Sequence, residues 1–383
     1  MEAVEIASPM TVVHLEAGCH LYGGALQVKY LLEGLQKFPV RNVLVCPKGA
    51  KLATACRSAF GNEVSIIECE MKGDLDWRLS SRIQRILHRE NAQLLHIHSR
   101  RGADIWGARG ANKAQVPVIL TRRVDSSEPK WFAHWKYRHL YDSVVAISDG
   151  VREVLLNDGL SSQQVKTIHS VVDTEHFQPK PDRRWFEQSF GYSPKDQVIA
   201  IVAQLIERKG HKVLFDALIP LFQLYPDLQL MVLGKGPLRK DLENYVLKKG
   251  LGERVRFFGF REDIHRVLPN LYLVAHPAHA EGMGVALLQA AACGVPVVAS
   301  KVGGIPEATL DGEHGVLMQP GDSEQLCVAI KTLIDSPSLR ESFSQRARER
   351  MVKEFSIASM SQEYFNLYQS LSSKPTTKYG EHR

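Results

Sequence analysis

The chain has 383 residues, more than a single hydrophobic core usually organises, so its length predicts two domains. Hydrophobic residues make up 44% and charged residues 23% of the chain, a balance that excludes general disorder. The formal net charge of +6 is only mildly basic and does not by itself indicate a class of partner.

Cysteine usage and hydropathy predict the compartment. The six cysteines show no CxxC spacing, so we expect reduced thiols rather than a disulfide framework or a zinc site. The N-terminal sequence MEAVEIASPM lacks the basic and apolar regions of a signal peptide. No stretch reaches the roughly eighteen apolar residues of a membrane span. We therefore expect a cytoplasmic protein that is neither exported nor transmembrane.

In the first part of the chain, short runs rich in Val, Ile and Leu alternate with longer amphipathic stretches. The runs predict strands at 11–15, 42–45, 64–67, 94–98, 116–121 and 143–147. The stretches predict helices at 25–37, 77–89, 102–114 and 149–157. Buried strands that alternate with helices indicate a parallel sheet covered on both faces, which is the doubly wound α/β arrangement.

The alternation pauses between 173 and 196, where prolines and charges accumulate, and we place the domain boundary there. It then resumes with strands at 198–203, 228–233, 255–258, 271–276 and 296–300. Helices are predicted at 210–224, 237–249, 284–292, 323–334, 339–354 and 356–371.

These elements predict a Rossmann-like N-terminal domain at 1–180 and a second Rossmann-like domain at 181–355. For 356–383 we expect a helix that packs back toward the first domain, followed by a disordered tail.

Ligands of open α/β sheets bind beyond the carboxyl ends of the strands, so residues that follow strands are the functional candidates. After the first strand, Gly23 and Gly24 precede a helix whose exposed amides favour negative charge. A glycine pair is also common in ordinary turns. The turn lacks a GxGxxG fingerprint, which argues against a nicotinamide enzyme.

The most specific segment is HAEGMGVALLQAAACGVPVVAS at 279–300, which runs from a strand end through a glycine turn into a helix. Glu281 can accept hydrogen bonds from sugar hydroxyls, although an acid here also stabilises a helix start. Gln289 lies about two turns further along the helix, where its reach suits a ribose. Four backbone amides at the helix start suit a diphosphate, those of Gly282, Met283, Gly284 and Val285.

With further segments in the same order, this pattern resembles the retaining glycosyltransferases of family 4, which have the GT-B fold. The resemblance covers nearly the whole chain and includes LLHIH at 94–98, ERKG at 207–210, LGKGP at 233–237 and the segment 315–322. It implies two Rossmann-like domains that face each other across a central cleft.

The resemblance also implies roles for single residues in donor binding and catalysis. Lys209 matches a lysine that binds the donor diphosphate, and Glu281 matches the first acid of a Glu-x7-Glu element that contacts the donor sugar. Gln289 stands where the second acid contacts the nucleotide ribose. His98 matches a histidine close to the donor sugar and acceptor, so we expect catalytic roles for His98, Lys209 and Glu281. Gly23 and Gly24 match the family's glycine loop.

Two positions depart from the family pattern. Ala203 and Gln204 replace the usual Gly-Arg pair, which removes one phosphate-binding cation, and Arg208 is the candidate substitute. Gln289 in place of glutamate keeps hydrogen-bonding capacity without the charge. The resemblance implies that no metal and no cofactor are needed beyond the nucleoside-diphosphate sugar.

Two arginine pairs follow strands of the first domain and are the candidates for acceptor binding: Arg100 with Arg101, and Arg122 with Arg123. The stretch 130–138 then mixes aromatic and basic residues, as helices on membrane surfaces do, although a core-packing helix with a solvated face has the same pattern. We therefore expect an anionic, membrane-presented glycan acceptor of the lipopolysaccharide-core or lipid-linked type. Peripheral contact with the cytoplasmic face of the inner membrane would follow, and no nucleic-acid partner is expected.

Other interpretations stay open. His96 and His98 are equally compatible with packed core histidines, and Lys209 with a solvated lysine at a helix start. A nucleotide-sugar epimerase shares this architecture, because fold does not fix function. A catalytically degenerate binding scaffold is the non-enzymatic alternative, suggested by Gln204 and Gln289. The sequence does not identify the donor base, the sugar, the linkage or the oligomeric state.

Overall fold

A computed structural model describes residues 9–21, 23–100 and 102–372. The described residues form two compact units. Unit 1 holds those up to Ser170 and those from Ile357 onward, and unit 2 is Val171–Ser356. The division lies earlier than position 181 because the linking segment packs within unit 2. There the Val172 amide donates to the Phe355 carbonyl at 3.0 Å, and Arg348 donates to the Phe177 carbonyl at 2.8 Å.

Unit 1 is built on a parallel sheet of seven described strands, β1 (Met10–Leu15), β2 (Val40–Pro47), β3 (Ser65–Cys69), β4 (Leu94–Ile97), β5 (Val118–Arg122), β6 (Ser143–Ala146) and β7 (Val165–Thr167). Their order across the sheet is β3-β2-β1-β4-β5-β6-β7. The sequence pattern predicted the first six. It did not predict β7, which has three residues and only one buried side chain.

The helices that cover this sheet are α1 (Gly23–Leu35), α2 (Lys51–Phe60), α3 (Leu79–Arg89), α4 (Ala108–Lys113), α5 (Lys130–Leu140) and α6 (Asp149–Asn157). A five-residue π-helical turn, Ala103–Gly107, precedes α4, so the helix predicted at 102–114 begins irregularly. Helix α2 was not among the predicted elements.

Unit 2 repeats the design with six strands, β8 (Gln197–Val202), β9 (Leu228–Leu233), β10 (Val255–Gly259), β11 (Leu273–His276), β12 (Val297–Ser300) and β13 (Gly315–Met318). Their order is β10-β9-β8-β11-β12-β13, and all pairs are parallel. The chain continues through α7 (Arg183–Phe190), α8 (His211–Leu224), α9 (Arg239–Lys248), α10 (Ile264–Val267), α11 (Val285–Ala292), α12 (Ile305–Ala308), α13 (Ser323–Asp335), α14 (Pro337–Glu354) and α15 (Ile357–Ser372).

Each unit buries its own apolar core. In unit 2 the core joins β8 and β9 to α8 and α13, with Ile199, Leu230, Leu218 and Leu333 fully buried. Strands buried on both faces explain the nearly unbroken apolar runs in the sequence. In both sheets the strand order reverses beside the first strand, between β1 and β4 and between β8 and β11. Ligands of doubly wound sheets bind at such switch points, which makes the loops after these strands the candidate sites.

The C-terminal helix α15 is part of unit 1, where it packs on α1. Gly34 of α1 lies against Ser361 of α15, and the rings of Phe38 and Phe365 stack at 4.6 Å. Residues 373–383, for which a disordered tail was predicted, lie outside the described residues. Within the described part of the chain, no helix combines the length and apolar character needed to cross a bilayer.

The close contact between α1 and α15 generates a stability prediction. A Cβ at Gly34 would overlap with the Ser361 hydroxyl and lie 2.7 Å from the Ser361 Cβ. Gly34→Ala should therefore lower the free energy of unfolding by about 1–3 kcal/mol, despite the better helix propensity of alanine. In a Ser361→Gly background the same change should cost much less, because the remaining close contact is with Ile357 Cγ2 at 3.0 Å. Denaturant unfolding of the four proteins measures the coupling, and equal effects in both backgrounds would contradict the packing.

Candidate functional site

In unit 2, two loops at the switch point bring a lysine and a glutamate into contact. Lys209 ends a 3₁₀ turn, Glu207–Lys209, after β8, and Glu281 lies in the loop after β11. The Lys209 ammonium forms an ion pair with Glu281 Oε2. His276, the last residue of β11, donates from Nε2 to the same oxygen at 2.9 Å. Both partners of the carboxylate are buried, so the three side chains form one desolvated cluster.

The cluster keeps Glu281 ionised. Burial alone would raise the pKa of Glu281, but the His276 hydrogen bond and the Lys209 charge outweigh burial and hold that pKa below its ordinary value. An ionised carboxylate only accepts hydrogen bonds. Glu281 can therefore receive hydroxyl donors, and Lys209 supplies a positive charge beside it.

Glycines allow these two loops, and the loop after β12, to approach one another closely. Gly210 and Gly303 have φ angles of +69° and +51°, which other residues rarely adopt. A Cβ at Gly210 would overlap with the Pro277 carbonyl oxygen, and one at Gly303 would overlap with the Glu281 carbonyl oxygen. The glycine after Lys209 is therefore a packing requirement of the site.

Helix α11 begins at Val285, a short glycine turn after Glu281. Gly284, with a φ of +78°, caps the helix, and its carbonyl accepts from the Leu287 amide at 2.8 Å. Ahead of this bond, the amides of Val285 and Ala286 have no intrahelical acceptor, and together with the helix dipole they favour an anion. The Met283 side chain is buried in the core, so this residue offers only its backbone. Gln289 is half-buried in the second turn of the same helix.

The other donor-binding candidates of unit 2 differ in exposure. Gln204, directly after β8, and Arg208 are both exposed. The Arg208 carbonyl accepts from the His279 amide at 2.8 Å, which ties the turn after β8 to the loop after β11. His276 was missed by sequence reasoning, although a histidine that ends an otherwise apolar strand was a usable signal.

In unit 1, polar side chains share one face of the sheet. Residue pairing places His14 of β1 beside His96 of β4, and side chains two residues apart point the same way, which adds His98. His98 Nε2 lies 3.1 Å from His14 Nδ1, and His14 Nε2 lies 3.1 Å from Asn42 Oδ1. Burial lowers the pKa of His14 to about 4 and the pKa values of His96 and His98 well below their ordinary range. All three imidazoles are therefore neutral at pH 7.

His96 contacts residues other than His14 and Asn42. Its Nδ1 lies 2.6 Å from the Tyr368 hydroxyl of α15, and its Nε2 lies 2.7 Å from Thr121 Oγ1. The Thr121 hydroxyl also contacts the Tyr364 hydroxyl of α15 at 2.9 Å. The C-terminal helix thus contributes two side chains to this polar face.

Arg123 lies on the same side, next to the start of α1. A Cβ at Gly24 would lie 3.2 Å from Arg123 Cδ, so the glycine leaves room for this side chain, while Gly23 has open space around it. Arg123 is near enough that its charge contributes to the low pKa of His98. Its buried Nε has no hydrogen-bond partner among the described residues. His98, Arg123 and the glycine pair therefore form a second group at the switch point of unit 1.

Arg122 and Arg100 do not join this group. Arg122 points to the opposite face, where it is 2% exposed, lies 3.9 Å from Glu128 and donates to the Ser126 carbonyl. The expectation that Arg122 faces an acceptor is therefore wrong, because neighbouring strand residues alternate in direction. Arg100 is about half-exposed and pairs with Glu128 at 3.3 Å. Arg101 lies outside the described residues.

Two family models match the chain in sequence. Residues 22–176 match the model described as Glycosyltransferase Family 4, and residues 182–350 match Glycosyl transferases group 1.

Curated relatives match in part or over most of their length. Over 183 residues the chain is 33% identical to a GDP-mannose-dependent α-(1-6)-phosphatidylinositol monomannoside mannosyltransferase of Mycolicibacterium smegmatis. That match covers 43% of this chain and 46% of the relative, so the chain spans less than half of that protein. It is also 27% identical over 300 residues to the lipopolysaccharide core biosynthesis mannosyltransferase LpsB of Rhizobium meliloti, covering 73% of this chain and 83% of LpsB.

A solved structure shares the fold. The crystal structure of HepE from Anabaena, in complex with UDP and glucose, has a TM-score of 0.82 over 95% of this chain and 100% of HepE. At 21% identity this likeness establishes the fold alone. On the two family models, which between them match both parallel-sheet units, the chain belongs to glycosyltransferase family 4 and has its GT-B fold.

Proposed function

We propose that the protein is a retaining, metal-independent glycosyltransferase that moves a hexose from a nucleoside-diphosphate sugar to an anionic, membrane-presented glycan. The observation that carries the proposal is the buried Lys209–Glu281 pair beside the start of α11. It combines a cation and helix amides for a diphosphate with a carboxylate for sugar hydroxyls. Membership of the family supports the reaction class.

In this reaction, negative charge develops on the leaving group. As the bond between the anomeric carbon and the diphosphate breaks, the leaving phosphate oxygen gains negative charge, and pre-positioned cations and amides stabilise it. Lys209 and the first-turn amides of α11 serve this role. Glu281, held by His276, accepts hydrogen bonds from the sugar. The acceptor oxygen bonds to the anomeric carbon on the same face, and its proton passes to the departing phosphate oxygen.

We propose that these groups replace a metal ion and that the reaction uses no cofactor beyond the nucleotide sugar. A metal would supply the same neutralisation of phosphate charge. The Asp74-Leu75-Asp76 sequence has the spacing of two acids that could share a cation. However, Asp76 is buried and forms an ion pair with Arg82, and its carboxylate accepts from the Lys72 amide at 3.0 Å. Both contacts are to Asp76 Oδ2, so a cation shared with Asp74 would compete with Arg82 for this carboxylate.

The acceptor side is proposed from unit 1. Arg123 offers a partly desolvated cation beside His98, and such a guanidinium binds phosphate or carboxylate well. Large apolar side chains are exposed on the same unit, with Trp131 of α5 76% and Leu75 90% exposed. The Trp106 indole donates to the Asp74 carbonyl, and Arg109 lies 5.1 Å from the Trp106 ring.

Arg109 also lies 5.7 Å from the ring of Trp135 on α5, so Leu75 and Trp131 belong to neighbouring parts of the surface. Exposed aromatic and basic side chains suit a membrane interface. We therefore propose a peripheral enzyme at the cytoplasmic membrane face that acts in cell-envelope glycan synthesis. The lipopolysaccharide and phosphatidylinositol mannoside relatives support this acceptor class.

Incubation of the purified protein with a panel of nucleotide sugars tests the reaction class. We expect slow hydrolysis of one donor, faster turnover when a glycolipid acceptor is added, and the same rates with and without EDTA, because Lys209 and the α11 amides carry the phosphate charge. Product analysis by NMR should show a retained anomeric configuration. An isomerised nucleotide sugar would indicate an epimerase, binding without turnover a scaffold, and activity that EDTA abolishes and Mg²⁺ or Mn²⁺ restores a metal-dependent enzyme.

Replacement of Lys209 tests the donor site. Lys209→Met should weaken nucleoside-diphosphate binding by about 10- to 100-fold, the usual value of a charge-assisted hydrogen bond. Lys212→Met, which removes an exposed lysine from the start of α8, is the matched control and should leave binding unchanged. Isothermal titration gives both affinities, and thermal unfolding checks that each variant is folded. Equal affinity in the two variants would contradict the assignment of Lys209.

Variants of the neighbouring residues Arg123 and Arg122 should have different effects, the first on acceptor binding and the second on stability. Arg123→Gln should lower acceptor kcat/KM by about ten-fold or more and change the free energy of unfolding by less than about 1 kcal/mol. Arg122→Met should instead lower the free energy of unfolding by about 1–3 kcal/mol, because the Ser126 carbonyl loses its donor and Glu128 loses one of three cations. Steady-state kinetics with varied acceptor and denaturant unfolding measure the two effects. Unchanged acceptor kinetics in Arg123→Gln would refute the acceptor assignment.

A further inference from the structure

We propose that Asn42 and His14 act as positioning residues that hold His98 as the tautomer protonated on Nε2, so that its Nδ1 presents a lone pair to a substrate hydroxyl. The tautomer itself is a property of the ligand-free protein. Only the role of the lone pair rests on the proposed function.

The tautomer follows from counting hydrogens along the chain of contacts. An amide oxygen only accepts, so His14 Nε2, 3.1 Å from Asn42 Oδ1, carries a hydrogen. A neutral imidazole has one N–H, which leaves His14 Nδ1 as an acceptor. His98 Nε2 lies 3.1 Å from that atom and must donate to it. The remaining nitrogen of His98, Nδ1, then has no hydrogen.

This assignment of hydrogens requires neutral imidazole rings, and burial keeps the rings neutral. The low pKa values of His14 and His98 have desolvation as their largest cause, and for His98 the charge of Arg123 adds to it. A protonated ring would carry two N–H groups and would break the sequence of donors and acceptors. The cationic neighbour and the buried position therefore both favour the neutral chain.

His96 fixes the His98 ring in place without taking part in the chain. Its two nitrogens are satisfied by Tyr368 and Thr121, and its ring centroid lies 3.8 Å from that of His98. Helix α15 thus braces His96 against His98. His98 Nδ1 is buried and has no hydrogen-bond partner among the described residues. Because an unpaired buried acceptor costs free energy, this atom is suited to a ligand donor.

A lone pair accepts from a hydroxyl but repels a phosphate oxygen. His98 would therefore bind a sugar or acceptor hydroxyl, while the adjacent Arg123 binds an anionic group. A bound metal is the competing explanation, because ring nitrogens of His14, His96 and His98 lie within 4.8 Å of one another. A metal ion would need a lone pair from each of the facing nitrogens, His14 Nδ1 and His98 Nε2. In the hydrogen-bond chain, His98 Nε2 instead carries the hydrogen that His14 Nδ1 accepts.

The direct test is long-range ¹H–¹⁵N NMR of histidine side chains in the ligand-free protein at pH 7. We expect His98 and His14 both to be protonated on Nε2, and one equivalent of Zn²⁺ to leave their signals unchanged. A His98 hydrogen on Nδ1 would overturn the proposal, as would stoichiometric Zn²⁺ binding by these rings. Neither measurement requires turnover, so failure of the proposed enzymatic function would leave its outcome intact.

Variants at Asn42 test the positioning role. Asn42→Leu removes the acceptor and should give mixed His98 tautomers and a fall in kcat of about ten-fold or more, with nucleoside-diphosphate affinity unchanged. Asn42→Asp keeps an acceptor-only oxygen and should restore the tautomer and most of kcat. Leu44→Ala, on the same face of β2, is the control for loosened packing and should leave the tautomer unchanged. Wild-type kcat in Asn42→Leu with a mixed tautomer would overturn the role.

Discussion

A carboxylate taken out of water must be neutralised where it lies, and in unit 2 this constraint falls on Glu281. Lys209 and His276 satisfy it, and to do so the turn after β8 must lie against the loop after β11. Gly210 is needed for that approach, and Gly303 lets the loop after β12 lie against Glu281. The ion pair therefore requires these two loops to lie together, and the loop that holds Glu281 leads into the start of α11. Lys209, which balances Glu281, is also the cation proposed for the diphosphate, so stability and the proposed ligand binding place the same demand on this residue.

Unit 1 meets a related constraint with neutral groups. One face of its sheet carries the His14–His98 chain and His96, all kept uncharged by burial. The opposite face carries charges that neutralise one another, with Lys136 2.6 Å from Asp104 and 3.0 Å from Glu128. Alternation of side chains along β5 and the loop after it separates the two environments. Polar groups in a parallel-sheet core are costly unless paired, and here each face pairs most of them in its own way, while His98 Nδ1 and Arg123 Nε have no partner among the described residues.

Sequence patterns predicted most of the strand and helix order, without β7 and α2, and singled out Lys209 and Glu281, because apolar periodicity and glycine turns are local signals. The interpretation of Arg122 neglected the alternation of side-chain direction along a strand. At the end of β5 this alternation places Arg122 and Arg123 on opposite faces of the sheet. His14 had a readable signal, a polar residue inside the buried run TVVHL. The contact of Tyr368 with His96 had none, because it joins residues 272 positions apart that only the folded chain brings together. The division at Val171 also depended on long-range contacts, through the pairing of Val172 with Phe355.

The proposed function depends on binding of the diphosphate of an activated sugar by the Lys209–Glu281 cluster and the start of α11. A crystal structure of the protein with a nucleoside diphosphate tests this binding. We expect the terminal phosphate to contact the Lys209 ammonium and the amides of the first turn of α11, with Glu281 free to accept from a sugar. A diphosphate bound elsewhere, with Lys209 and Glu281 still paired only to each other, would contradict it.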